Sequence, residues 1–162
     1  RIMSSRVLEE QFKAVDANPQ VLPFSEVYSA LQQGVIDGQE NTLSNIYTKK
    51  FHEVQTDLTL SGHGYLGYMV VMSKPFWNKL PDDLKTKVTQ AMNEATEYER
   101  KEAAALESEF LANIEKHAKQ TEDFEIHKLS PEQKAQWQKA VSGIYPKFYD
   151  TIGEDLIKKA QK

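Results

Sequence analysis

The sequence contains no cysteine, and that absence alone removes disulfide bonds, thiolate metal sites and cysteine nucleophiles from consideration. It leaves the compartment open, because bacterial exported proteins often lack cysteine altogether. No apolar run approaches the roughly 20 residues needed to span a bilayer. Glycine-rich phosphate loops of the GxGxxG and GxxxxGKS kinds are missing, as is a GxSxG nucleophile elbow. His52-Glu53 begins like a zinc-binding helix, but the zincin pattern needs a histidine four positions after His52, where Thr56 stands. The four histidines, at 52, 63, 117 and 127, show no ligand spacing, and His117 and His127 read as surface residues. No metal centre and no cofactor is therefore expected. An excess of positive charge is lacking too: 20 Lys and Arg against 24 Asp and Glu leave a net charge of −4, which argues against a phosphate-backbone binder. Nucleic acid is not an expected partner.

What is present suits a soluble α/β domain or slightly more, with 162 residues of which 40% are hydrophobic and 27% charged. The first residue is Arg1, without an initiating methionine or an apolar leader, so the reading is either a processed chain whose precursor carried a signal peptide or a fragment.

Short strands alternate with amphipathic helices through the first third. Arg1-Ile2-Met3 reads as a strand end. Ser4 or Ser5 can cap a helix whose Leu8, Phe12 and Val15 share a face, and Val21-Leu22 is a second strand stopped by Pro23. From Phe24 to Asn41 a helix pattern with Val27, Ala30 and Leu31 runs to Gly34, suited to the positive φ of a helix C′ position. Val35-Ile36 then reads as a buried strand with Asp37-Gly38-Gln39-Glu40-Asn41 at its carboxyl end. Open α/β sheets bind ligands outside the carboxyl ends of their strands, so Gln39, Glu40 and Asn41 are either ligand contacts or a solvated turn. The strand and helix order implies βαβ units and a parallel sheet.

Leu43 to Phe51 predicts a short helix, and Leu58 to Leu60 and Tyr68 to Met72 predict interior strands joined by Ser61-Gly-His-Gly64. Pro81 with Asp82 and Asp83 opens a helical pattern reaching Gln120, about 60 Å at 1.5 Å per residue. A helix of that length must bridge two bodies or lie along a surface. Phe124 to His127 predicts a strand, and Ser130-Pro-Glu-Gln133 a capping box. Trp137, Val141, Tyr145, Phe148 and Ile152 then form a stripe that Pro146 should interrupt.

Two residues stay open on their own chemistry. Arg1 is either a guanidinium fork for a carboxylate or a frayed end. His63, flanked by Gly62 and Gly64, is either bonded to nearby backbone or a ligand contact.

Taken together, Arg1-Ile-Met-Ser4, Asn18-Pro19, the FSEVYxALQxGxxDGQEN run from Phe24 to Asn41, Phe51-His-Glu-Val54 and His63 resemble the solute-binding proteins of tripartite ATP-independent periplasmic (TRAP) transporters. Gly64-Tyr-Leu-Gly-Tyr68 after His63 is closer to the C4-dicarboxylate-binding branch than to the sialic-acid branch. The resemblance implies a periplasmic binding protein-like, two-lobed α/β clamshell of which this chain is about the carboxy-terminal half. It implies a non-enzymatic receptor, located in the periplasm, that closes on an organic acid and hands it to TRAP membrane permease subunits. By the same resemblance, residues 1–65 form most of the carboxylate-clamping lobe, and residues 66–162 a hinge strand, a bridging helix and carboxy-terminal helices that pack on the other lobe. It also implies that Arg1 clamps the carboxylate, Phe24 packs on the ligand and Asn41 bonds the carboxylate region, with Ser4, His63 and Tyr65 as pocket neighbours. With half a cleft, the chain alone should expose apolar surface, bind ligand weakly and be prone to self-association. Two rival readings are a small-carboxylate enzyme using Glu40 and His63 as its acid–base pair, and a self-associating module built on the long helix.

Overall fold

A computed structural model of the chain describes residues 1–161, so Lys162, the last residue of the second expected region, lies outside the described residues. At the amino terminus Ile2 and Val21 pair in a parallel bridge, with the Ile2 amide donating to the Gln20 carbonyl at 2.9 Å. Between them runs α1 (Arg6–Lys13), whose cap is Ser5: its Oγ accepts from the Leu8 amide at 3.3 Å. This is the expected strand–helix–strand unit reduced to a single bridge. The only ladder among the described residues joins β1 (Asp57–Leu60) to β2 (Glu125–Lys128) in parallel, with Asp57 opposite Glu125 and Thr59 opposite His127.

One hydrophobic core holds this half together. It contains Val27 and Leu31 from α2 (Val27–Gln32), Ile46 from α3 (Leu43–Thr48), Ile36, Phe51, Ile114 and Phe124. The i,i+4 spacing of Val27 and Leu31 turns one face of α2 inward. After α3 the chain reverses at Lys50, whose φ of 60° is left-handed, and a 3-10 turn over Phe51–Glu53 drives Phe51 and His52 into the interior. A fully buried side chain such as Phe51 or Ile114 contributes about 1.5–3 kcal/mol relative to exposure.

The long helix α5 (Asp82–Gln120) follows a short helix α4 (Lys74–Lys79) that the sequence reading did not anticipate. Pro81 precedes α5 as its cap residue and does not open its first turn. Of its 39 residues only Ile114 is buried, and contact with the core is made near its end, where the Phe110 ring lies 5.5 Å from that of Tyr47. A second, smaller core of Ile144, Phe148 and Ile157 joins the 3-10 turn Ser142–Phe148, which follows α6 (Pro131–Val141), to α7 (Tyr149–Ile152) and α8 (Glu154–Ala160). The capping box is complete: Ser130 Oγ accepts from the Gln133 amide at 3.3 Å, and Gln133 Oε1 accepts from the Ser130 amide at 2.8 Å. Pro146 sits within the 3-10 turn where the α-helical run is interrupted, and Lys147 pairs with Glu10 to tie this unit to α1.

Two expected strands do not form. At Val35-Ile36, Gly34 takes φ +67° as expected, but the amides of Val35 and Ile36 both turn back to the Ala30 carbonyl, at 2.9 and 3.4 Å. The helix terminus thereby consumes the donors a ladder would need; Ile36 is buried, whereas Val35 is 69% exposed. At Tyr68 to Met72, the expected hinge strand, the backbone finds no strand to pair with among the described residues, and Tyr68 to Val71 are 80–88% exposed.

His117 also departs from its surface reading. Its ring meets His52 edge to face at 4.8 Å and Phe124 at 5.3 Å, while His52 stacks on Tyr47 at 5.5 Å. His52 Nδ1 lies 3.2 Å from the Ile46 carbonyl, which can only accept, so the neutral ring carries its proton on Nδ1. Burial lowers the His52 pKa and His117 pushes it further down, against the opposing pull of the Ile46 carbonyl. An unfolded histidine titrates near ~6.5. Below that pH the unfolded chain therefore binds a proton that the fold resists, and stability falls as pH drops from about 6.5 through the lower folded value. Urea midpoints of the chain are expected to decline between pH 7.5 and 5.5, and His52→Phe to flatten that slope; an equal slope in both proteins overturns the assignment.

Candidate functional site

The bridge between Ile2 and Val21 brings Arg1 beside the segment that follows α2. The Arg1 α-amino group donates to the Gly38 carbonyl at 2.6 Å, and the Glu40 amide donates to the Arg1 carbonyl at 3.2 Å. The guanidinium Nε donates to the Leu22 carbonyl at 3.2 Å, which aims the fork. Its Cζ stands 5.8 Å from the centroid of the Phe24 ring, and its Nη1 is buried without a hydrogen-bond partner among the described residues. Such an atom costs free energy unless an acceptor arrives. Phe24 is in turn supported from the core, edge to face with Phe51 at 5.8 Å.

Charge around the fork is arranged tightly. Glu40 Oε1 accepts from the Met3 amide at 3.2 Å, and Oε2 lies 3.8 Å from His63 Nε2. Burial pushes the Glu40 carboxyl up, but the His63 imidazole, the Met3 amide and the Arg1 charge outweigh it and hold the group below the ordinary carboxylate range. Burial lowers the pKa of the Arg1 guanidinium, with Glu40 acting in the opposite direction. The environment is thus one in which a cation lacks part of its solvation and gains from a further anion.

Arg1, Phe24, Glu40 and His63 form one connected group. Asn41 is next in chain to Glu40, and its carboxamide is fixed by two neighbours: Nδ2 donates to Gln39 Oε1 at 3.2 Å, and Oδ1 accepts from Asn45 Nδ2 at 2.5 Å. His63 is held on three sides. Its Nδ1 lies 2.6 Å from Ser61 Oγ, its carbonyl accepts from Gln11 Nε2 at 3.0 Å, and its ring meets Phe12 at 5.4 Å. The His63 ring thus bonds the Ser61 hydroxyl and faces Glu40, and among the described residues it makes no bond to neighbouring backbone.

Ser4 is exposed beside the α1 cap and makes no hydrogen bond with the group. Tyr65 is 95% exposed in the segment that lacks a strand partner, so the described structure does not bring it to the others. Gln11 was missed, although it lies three residues after Leu8 on the same helix face and is 8% exposed. Asn45 and the Leu22 and Gly38 carbonyls were missed too, because backbone acceptors leave no mark in a sequence. Away from this site, the β1–β2 register brings His127 Nε2 to 2.8 Å from Asp57 Oδ1 and 4.0 Å from Glu125 Oε2, an exposed trio that sequence spacing did not announce.

Comparison with known proteins places the chain in a family. The model of bacterial extracellular solute-binding proteins, family 7, matches residues 1–151. A C4-dicarboxylate-binding periplasmic protein, DctP, of Shewanella loihica is 47% identical over 161 residues, covering 99% of this chain and 46% of the relative. Among solved structures, a TRAP periplasmic solute-binding protein from Sulfurospirillum deleyianum with bound succinate is 72% identical, with a TM-score of 0.89, covering 99% of this chain and 52% of that one. Another, from Pseudomonas aeruginosa with bound L-malate, is 31% identical with a TM-score of 0.77, over 90% of this chain and 50% of that one. The chain thus spans about half the length of the relatives it matches. Its α/β fold, with the long helix and the carboxy-terminal helices, is that of the TRAP periplasmic solute-binding proteins. On the match across residues 1–151, the chain belongs to family 7 of the bacterial extracellular solute-binding proteins.

Proposed function

We propose that the chain is part of a two-lobed periplasmic receptor that captures a C4-dicarboxylate or similar organic acid and delivers it to a TRAP membrane permease. The observation that carries the reading is the Arg1 guanidinium, seated on Phe24 with a buried Nη1 that has no acceptor. A carboxylate supplies two acceptor oxygens in the plane of that fork, and the Phe24 ring offers an apolar bed for a short carbon chain. Asn41, already oriented by Gln39 and Asn45 and next in chain to Glu40, contributes an amide, and His63 and Ser4 are the further contacts of this reading. The names of relatives, among them proteins described as binding C4-dicarboxylates and structures with succinate or L-malate, support the ligand class.

In this reading residues 1–65 provide most of the clamping lobe, and residues 66–162 dock on the second lobe. The exposed apolar run at Tyr65 and Tyr68 to Val71 supports docking at that segment, since such a surface needs cover, while Ile114, Phe124 and Lys147 of the second region already meet the first. Ligand energy is used to favour the closed state that the permease recognises. No chemistry is performed on the acid: Glu40 and His63 are engaged with Met3, Ser61 and each other.

Calorimetric titration tests this on a receptor in which the chain is joined to its second lobe. Succinate or malate is expected to bind at micromolar affinity or better and to be recovered unchanged by mass spectrometry. The chain alone, with one cleft wall, is expected to bind far more weakly. Binding of a neutral sugar only, or turnover of the acid, overturns the reading.

A further inference from the structure

Phe24 has a second cation near its ring. Lys49 Nζ stands 5.9 Å from the ring centroid, while Arg1 Cζ stands 5.8 Å from the same point. The two arrive from different elements, Arg1 from the bridge with Val21 and Lys49 from the residue that ends α3. Lys50, its neighbour, is committed to Glu53 at 3.1 Å, whereas Lys49 makes no ion pair among the described residues. Glu40, the carboxylate whose charge acts on Arg1, is occupied by the Met3 amide and His63. Two cations thus meet one aromatic ring, Glu40 acting on Arg1 alone and no carboxylate pairing with Lys49 among the described residues, so a further negative charge beside the ring gains from both.

The spacing suits a molecule with a carboxylate at each end. The cationic centres can be no further apart than the two ring distances laid end to end. The carboxylate carbons of a C4 diacid are roughly 4 Å apart across three C–C bonds of ~1.5 Å, and each N–H···O⁻ bond adds ~2.7–2.9 Å. Where the two groups stand within about 10 Å of each other, such a dianion reaches both while its methylenes lie along Phe24.

Resting on the receptor reading above, we propose that Lys49 binds the distal carboxylate of the ligand whose first carboxylate pairs with Arg1, and so selects dicarboxylates over monocarboxylates. The division of labour follows from side-chain chemistry. Arg1 gives a planar fork that orients the first carboxylate, and Lys49 gives a compact charge on a flexible stem that adapts to the position of the second.

The test compares succinate with butyrate, which has the same number of carbons and one carboxylate fewer, in the receptor that joins this chain to its second lobe. Lys49 is exposed, so Lys49→Gln leaves the core untouched. The substitution is expected to weaken succinate at least about tenfold, leave butyrate within about twofold, and be rescued in large part by Lys49→Arg. Unchanged succinate affinity, or equal losses for both acids, overturns the role of Lys49 while the receptor stands. A parent receptor that binds neither acid overturns the receptor reading itself and this inference with it.

Discussion

Replacing Arg1 with alanine in the two-lobed receptor is expected to weaken succinate or malate binding at least a hundredfold and to leave the fold in place. The magnitude follows from what the side chain gives up. A hydrogen bond to a charged partner contributes about 1.5–3 kcal/mol, and a guanidinium–carboxylate fork makes two of them. Each 1.4 kcal/mol is a factor of ten in affinity, so loss of the pair exceeds two orders of magnitude. The cost to folding is small by comparison. Arg1 is only half-buried, and its side chain makes one hydrogen bond within the protein, from Nε to the Leu22 carbonyl. Removing it also removes the buried Nη1 that lacks a partner, which offsets part of the loss. Arg1→Lys separates charge from geometry: it keeps a cation near Phe24 but not the fork, and is expected to fall between parent and alanine. Titrations in which Arg1→Ala stays within about threefold of the parent refute the clamp.

The ionic environment is the reason to expect that leverage of this arginine and not of a surface one. Burial already lowers its pKa, a sign that its charge is poorly solvated where it stands. Lobe closure would remove the remaining water and strengthen the attraction to a carboxylate, because the same two charges interact more strongly as the effective dielectric falls. Glu40 keeps the unliganded state tolerable. Its carboxylate is held ionised by His63 and Met3 near Arg1, without forming a direct ion pair that a ligand would have to break.

How much of this could be read from the sequence depends on whether the signal was local. The capping box at Ser130 and Gln133, the positive φ at Gly34 and the long helix ending at Gln120 are written in residues a few positions apart, and all three form. Strands β1 and β2 lie within one residue of their expected bounds. Val35-Ile36 and Tyr68 to Met72 are apolar in the same way, yet neither becomes a strand, because apolarity reports a need for cover and not the presence of a partner backbone. The site shows the same division. Nothing in Phe24 itself separates a ligand platform from a core aromatic; the resemblance to a family suggested the first, and the structure gives it both neighbours, Arg1 on one side and Phe51 on the other. Lys49 escaped notice because a lysine after a helix is ordinarily a solvated end, and only the fold brings it to the ring that Arg1 also meets.

Phe51→Ala is the substitution expected to damage the fold most. Phe51 is 1% exposed and joins α2, α3, Ile114 of the long helix and Phe124 before β2 in one core. Truncating a buried phenylalanine costs about 3–5 kcal/mol, the lost transfer of the ring plus the cavity it leaves. Against a total stability of about 5–15 kcal/mol for a domain, that is a large share of what keeps the chain folded. Relaxation into the gap is limited, because Lys50 before it is locked in a left-handed turn and the Val54 amide after it bonds back to the Phe51 carbonyl at 3.2 Å. Urea unfolding of the purified chain measures the loss, with Phe76→Ala as the comparison: that ring is 55% exposed and its removal should cost less than about 1 kcal/mol. The site feels the change as well, since Phe51 supports the edge of Phe24. A receptor carrying Phe51→Ala under conditions where it remains folded should therefore bind succinate more weakly than the parent, by less than Arg1→Ala. A loss of stability no greater than that of Phe76→Ala would show that the core is not organised around Phe51.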